Sequence, residues 1–387
     1  MKVIHIASGD LWAGAEAQLY SLVCALRQIS GIDVEVILLN HGELEARLRR
    51  ADVSVTVFNE RRLGSLTVAW RMLRHVRRAR PDIVHTHRYK ENVLGSIAAR
   101  LAGAGSLRSV HGRDEAAIPG WRLDKRMYRL LDQLCGRWLQ QRVVAVSAQL
   151  AKELAASFPE EQITVIENGV DIAGVLLAAA RGAELPGQPG RLRVGFVSRL
   201  VSVKRVDLFL QTAHKLHRRK PGMFDFYIVG DGPQYDLCRQ LIAQLDLAGC
   251  THMLGFRPDV AAVLAGMDLL LITSDHEGLP MTLLEAMSLE VPVVASAVGG
   301  IPQALDHGRC GRLVPAQQAK AYVAAVLKLL VDPISRQQQI RHALERVRDY
   351  YSAERSATGY ANLYRQLCPD KAAAYRGREA AYPLRER

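Results

Sequence analysis

Short apolar runs alternate with longer amphipathic stretches along most of the chain. In the first half the runs are KVIHIAS (2–8), DVEVILLN (33–40), SVTVFN (54–59), DIVHTH (82–87), LRSVHG (107–112), RVVAVS (142–147) and ITVIENGVD (163–171). Helical spacing fills the gaps, as in GAEAQLYSLVCALRQ (14–28). Strands that are apolar on both faces and separated by helices predict a parallel sheet covered on both sides. A Gly/Pro/Ala-rich stretch, GAELPGQPGR (182–191), breaks the rhythm and reads as a linker. The alternation restarts with LRVGFVSR (192–199) and runs through FDFYIVGDGP, THMLGF, DLLLITS and PVVASAVGG to GRLVPA. The expected fold is α/β, with two Rossmann-like domains in tandem. They are placed at residues 1–172 and 191–352, with a hinge at 173–190 and a final helix and tail at 353–387. By its pattern alone the last helix, AERSATGYANLYRQLC (353–368), could pack on either domain.

Composition narrows the class. A chain of 387 residues has room for two such cores, and 49% hydrophobic with 23% charged residues suits a globular protein. Six cysteines lie far apart with no C-x-x-C pair, which argues for reduced thiols in a cytoplasmic protein and against a disulfide frame or zinc site. The N-terminus turns polar after a few apolar residues and reads as a first strand rather than a secretory signal. No run approaches the ~18 apolar residues that a membrane-spanning helix needs.

The net charge of +12 is uneven: residues 61–142 hold eighteen Lys/Arg against six Asp/Glu. In RMLRHVRRAR (71–80), Arg71, Arg74, Arg77, Arg78 and Arg80 cover one broad helix face. That face is either a solvated surface or a contact for anionic membrane lipid. Interleaved aromatic platforms and RNA-binding signatures are absent, which argues against nucleic acid as a partner.

In parallel sheets ligands gather beyond the carboxyl ends of strands, so the loops after strands carry the candidate chemistry. After DLLLITS comes DHEGLP and a helix start near Pro280–Met281, where first-turn N–H groups and the helix dipole attract an anion. Glu277 precedes that helix start and Glu285 follows one turn inside it. Two carboxylates around an anion site repel the anion unless they grip neutral hydroxyls on either side. A nucleotide sugar has that layout, with ribose and hexose flanking a diphosphate. The loop SRLVSVKRVD (198–207) offers Arg199 and Lys204 to the same phosphates. Gly230 and Gly232 in VGDGP would let a base or ribose approach the backbone, and Phe256 and Arg257 in LGFRPD follow the next strand. In the first half, Gly14 marks a close approach at a helix start, followed by Glu16, and His111 ends a strand beside Gly112. No D-x-D pair follows a strand, so no divalent metal site is expected and positive side chains would neutralise the diphosphate.

Together these residues resemble the GT-B fold retaining glycosyltransferases of family 4, glycosyl transferases group 1. The most specific element is Glu-x7-Glu in EGLPMTLLE, followed by EAMSLEVPVVASAVGGIPQAL, and the match runs from the loop at Gly14 to GRLVP. The resemblance implies an interdomain cleft and a C-terminal helix that crosses back to the N-terminal domain. It implies that Glu277 holds the hexose hydroxyls, that Gly278, Leu279 and Pro280 line the donor, and that Glu285 holds the ribose. Arg199 and Lys204 would stabilise the departing diphosphate, and His111 would contact the sugar near the reacting centre. Gly14 would approach the diphosphate; the family commonly has two adjacent glycines there, and here the first is Ala13.

The implied activity is metal-independent, retaining transfer of a hexose from a nucleoside-diphosphate sugar, UDP favoured over GDP, with no cofactor. The acceptor would be a glycan or lipid-linked hydroxyl in cell-surface polysaccharide, lipopolysaccharide or glycolipid assembly. The site would lie in the cytoplasm, on or near the inner face of the membrane. The alternatives are a nucleotide-sugar epimerase on the same scaffold, or a non-catalytic nucleotide- or lipid-binding partner.

Overall fold

The computed structural model describes residues 1–112 and 123–369. The expected tail beyond them, and Arg113–Glu115 after His111, lie outside the described residues. The chain divides into two compact units, and the first is discontinuous: it takes in residues up to 111, 123–169 and 353–369.

The first unit alternates β1 (Lys2–Ala7), α1 (Gly14–Leu26), β2 (Asp33–Leu38), α2 (Glu43–Arg50), β3 (Ser54–Val57) and α3 (Ser65–Ala79). It continues with β4 (Ile83–Thr86), α4 (Tyr89–Ala102), β5 (Gly105–Val110), α5 (Leu123–Trp138), β6 (Arg142–Ala145), α6 (Ala148–Leu154) and β7 (Ile163–Val165). All seven strands are parallel, in the order β3-β2-β1-β4-β5-β6-β7. The order reverses between β1 and β4, the kind of switch point where such sheets bind ligands. β1 and β4 pair with His5 directly opposite His85. Helix α3 shows how pattern becomes packing. Val68, Met72 and Val76 recur every four residues and are buried, while Arg71, Arg74, Arg77 and Arg78 are exposed.

The second unit begins at Val170 and contains α7 (Ile172–Ala179), β8 (Leu192–Val197), α8 (Val206–Arg219), β9 (Phe224–Val229), α9 (Tyr235–Gln244) and β10 (Thr251–Gly255). Then come α10 (Val260–Ala265), β11 (Leu269–Ile272), α11 (Met281–Ser288), β12 (Val293–Ser296), α12 (Ile301–Ala304), β13 (Arg312–Val314), α13 (Ala319–Val331) and α14 (Pro333–Tyr350). Its six parallel strands run β10-β9-β8-β11-β12-β13, with the switch between β8 and β11. Every residue of β9, FDFYIV, is buried, as a central strand with helices on both faces requires.

Residues 173–190, expected as a linker, carry a helix and pack on the second unit. α7 lies against α10 and α11, Gln188 N donates to Asp225 Oδ2 at 2.8 Å, and the Tyr227 hydroxyl donates to the Pro186 carbonyl at 2.5 Å. The last helix, α15 (Ala353–Leu367), belongs to the first unit. It packs along α1 and buries Ala357, Tyr360, Ala361 and Tyr364 in the first core.

Candidate functional site

In the second unit, the loops after β8, β9, β11 and β12 are tied to one another by backbone hydrogen bonds. Leu200 N donates to Asp231 O at 2.9 Å, Gly230 N to Gly255 O at 2.7 Å, Asp275 N to Val203 O at 2.8 Å and Gly300 N to Gly278 O at 2.7 Å. Arg199, Lys204, Gly230, Gly232 and Glu277 therefore lie on one group of interlocked loops, around the switch between β8 and β11.

At its centre is Glu277, which is 7% exposed. Lys204 Nζ donates to both of its carboxylate oxygens, at 2.9 and 2.8 Å. The Ser274 hydroxyl donates to Oε1 at 2.6 Å. The Thr273 hydroxyl donates to the Arg205 carbonyl at 2.9 Å and so fixes the chain that carries Lys204. Arg205 itself turns away to Asp207 and Asp275, at 3.0 and 2.9 Å.

Helix α11 begins at Met281 with Pro280 as its N-cap residue and no side-chain cap, so its first-turn N–H groups lie at the end of the Glu277 loop. Gly278 and Leu279 are buried in that loop, and Glu285 is half-buried one turn further along. Gly299 has φ +57°, and a Cβ there would lie 1.7 Å from the Glu277 carbonyl oxygen; only glycine lets the β12 loop close on the Glu277 loop.

Gly230 and Gly232 have a reason beyond ligand approach. Their φ values are +135° and +155°, and a Cβ on either would collide with the carbonyl of Ser198 or Leu200. They seat the Arg199 loop. Phe256 is 52% exposed, and Arg257 is held by Asp259 at 2.7 and 2.5 Å. That bond keeps the Asp259 carboxyl below its ordinary range.

In the first unit, Gly14 is the exposed first residue of α1. Glu16 folds back to accept from Ala13 N at 3.2 Å and also accepts from Arg88 at 2.6 Å. Burial raises the Glu16 carboxyl above its ordinary range, and Arg88 opposes the rise. His111 follows β5, half-buried, with its Nε2 3.2 Å from His87 Nδ1. Burial first, then Arg88, lowers it to about 4, so the ring is neutral near pH 7.

His87 belongs to a buried set that sequence reasoning missed. His5, His85 and His87 bring ring nitrogens within 4.8 Å of one another, a grouping of the size that can hold a metal ion. Their nitrogens are already engaged: His85 with Tyr364 and Ser109 at 2.7 and 2.8 Å, and His5 with His87 at 3.0 Å. The i, i+2 spacing of His85 and His87 in DIVHTH was the available signal, since such residues share one face of a strand. Ser274 and Gly299 were also missed as supports of Glu277.

The geometry now meets what the chain is similar to. Residues 12–173 match the family described as Glycosyltransferase Family 4, and residues 191–332 match Glycosyl transferases group 1. The chain belongs to the family 4 and group 1 glycosyltransferases. As a family 4 chain it resembles the amylovoran biosynthesis glycosyltransferase AmsK of Erwinia amylovora, with 31% identity over 186 residues, 46% of this chain and 44% of that one. The lipopolysaccharide core biosynthesis mannosyltransferase LpcC of Rhizobium leguminosarum bv. viciae is 29% identical over 240 residues, 60% of this chain and 68% of that one. The chain spans about half the length of the curated relatives first matched, 44% of AmsK being covered. The crystal structure of Anabaena Alr3699/HepE in complex with UDP-glucose has a TM-score of 0.79 at 21% identity, covering 94% of this chain and 99% of that one. At that identity the likeness shows the fold, GT-B, of this family 4 chain.

Proposed function

We propose that the chain transfers a hexose from a nucleoside-diphosphate sugar, UDP-linked in preference to GDP-linked, to an acceptor hydroxyl, with retention and without a metal. The observation that carries this reading is the Glu277 carboxylate, held by Lys204 and Ser274 beside the uncapped start of α11. Glu277 accepts from hexose hydroxyls and Glu285 from the ribose. Lys204, Arg199 and the α11 N–H groups face the diphosphate between them. The bond from the anomeric carbon to the diphosphate breaks, the acceptor oxygen bonds to the same face, and the nucleoside diphosphate leaves. Fixed positive groups at the site of developing charge supply most of the rate enhancement. Lys204 has three N–H donors, so it can turn one to phosphate while still holding Glu277.

The acceptor is a glycan or lipid-linked hydroxyl, in line with relatives named for amylovoran and lipopolysaccharide core biosynthesis. The reaction is placed in the cytoplasm, at the inner membrane face. Support comes from α3, where Leu66 is 89% and Trp70 57% exposed beside the exposed Arg71, Arg74, Arg77 and Arg78. No helix among the described residues is long and apolar enough to cross a membrane. The deciding experiment is Glu277→Ala assayed with each nucleotide sugar the parent uses: loss of transfer is expected, and undiminished transfer would reject the reading.

A further inference from the structure

Part of the helix layer over one face of the first sheet is turned inside out. α3 packs against α4, and α4 against α5. Beneath α4 and α5 lie Thr86 of β4 and Arg108 of β5, which pair across the sheet and project from the same face. The Thr86 hydroxyl donates to Asn92 Oδ1 of α4 at 2.6 Å, and Asn92 Nδ2 donates to Asp132 Oδ1 of α5 at 2.9 Å. Arg108 donates to the other Asp132 oxygen at 2.7 Å. Ser96 of α4 is buried as well, its hydroxyl donating to the Val93 carbonyl at 3.2 Å. These two helices turn Asn92, Ser96 and Asp132 inward, where an ordinary surface helix places its largest apolar residues.

Their large apolar residues face outward instead. Ile97 and Leu101 of α4 are exposed, as are Leu130, Leu134 and Trp138 of α5, the last by 75%. Leu130, Leu134 and Trp138 recur every four residues and form one stripe. Arg77 Nε of α3 donates to the Leu101 carbonyl at 3.4 Å, so the face of α3 that carries Leu66 and Trp70 adjoins that of α4. The charges on this surface have one sign. Arg100 and Arg137 are exposed, like the arginines of α3. Glu91 and Asp132, the carboxylates of these three helices among the described side chains, are buried.

A broad apolar patch rimmed by polar groups marks an interaction surface. A second copy is a poor occupant, because an isologous contact uses one patch twice and would set this basic face against itself. An anionic bilayer suits both properties. Its acyl chains receive the leucines, the indole rests at headgroup level, and the guanidiniums reach lipid phosphates.

We propose that the outer surface of α4 and α5 inserts into the headgroup–acyl boundary of an anionic bilayer, with Leu130, Leu134 and Trp138 as the inserted residues. This contact rests on the inner-face placement above and deepens it: α3 supplies the attraction between charges, and α4 with α5 supplies apolar burial.

The test mixes the full chain with vesicles of phosphatidylcholine and phosphatidylglycerol whose acyl chains carry bromine, a short-range quencher of indole fluorescence. The parent should be quenched, and Trp138→Phe should lose part of that quenching. Leu134→Ser combined with Trp138→Ser changes two exposed positions and leaves every arginine in place. It should weaken partitioning onto unbrominated vesicles of the same lipids at least tenfold. A parent that binds, yet is quenched equally with and without Trp138, overturns the insertion and leaves the charge contact of α3 standing. A parent that binds no vesicles overturns both. A lipid-free dimer, seen by light scattering and broken by the same two substitutions, overturns the insertion and makes a second copy the occupant. None of these results bears on glycosyl transfer, because vesicle binding is read without activity.

Discussion

Lys204 and Glu277 are locked together: one ammonium donates to both oxygens of one carboxylate, at 2.9 and 2.8 Å, with the two side chains 16% and 7% exposed. Removing one member leaves a charge in a place built for two. Lys204→Ala should destabilise the second unit by roughly 3 kcal/mol, and Lys204→Met with Glu277→Gln should recover much of that. Denaturant unfolding checks it; a single variant as stable as the parent would contradict the pair's importance.

Gly299→Ala places a methyl 1.7 Å from the Glu277 carbonyl oxygen at φ +57°. The Glu277 loop must move to make room. Transfer should fall at least tenfold, with nucleotide-sugar affinity falling too, as read by initial rates and calorimetry.

Arg108 is 1% exposed and donates to Asp132 Oδ2 and to the Asp132 carbonyl, both at 2.7 Å, and to Gln140. Arg108→Met fills much of the volume but strands the Asp132 carboxylate. A loss of about 3–5 kcal/mol in the first unit is expected. Denaturation followed by a probe in that unit would show it, and an unchanged midpoint would refute it.

The first unit should weaken in acid. His5 and His111 sit at about 3 and 4, and His85 and His87 well below the ordinary 6.5, in each case through burial. Below pH 6.5 the unfolded chain protonates these rings while the folded one does not, so stability drops as pH falls toward 4. Each ring contributes a slope of up to about 1.4 kcal/mol per pH unit. Glu91, raised by burial to about 7, acts oppositely: its contribution is full below 4.5 and lost as pH rises through 7. Burial raises Glu16 in the same sense. Four histidines outweigh two carboxyls, so Tm should decline from pH 6.5 to 4; a flat profile would contradict this.

The α3 face should bind vesicles containing anionic lipid and release them as salt rises, since screening shortens the reach of exposed charges. Replacing Arg71, Arg74, Arg77 and Arg78 with Ser should abolish sedimentation with such vesicles and leave the fold intact. Binding indifferent to lipid charge or salt would remove the membrane proposal.

Much of this was readable from the sequence because strand runs such as FDFYIV and helix rows such as Val68–Met72–Val76 carry their periods locally. Glu277, Lys204 and Arg199 could be named because each lies just after a strand. Their pairing could not, since Lys204 and Glu277 are brought together by β8 and β11 becoming neighbours. The His5–His85 contact depends likewise on the register of β1 and β4. Helix α7 escaped notice because IAGVLLAA, uniformly small and apolar, has no period to betray it.

Helix α15 has a consequence for biosynthesis. The first sheet draws Ala357, Tyr360, Ala361 and Tyr364 into its own core from beyond residue 352. A ribosome must therefore translate the entire second unit before the domain it began with can close. Until then the nascent α1 surface that receives α15 is exposed to chaperones, and a stop codon anywhere before Ala353 damages the start of the protein as well as its end.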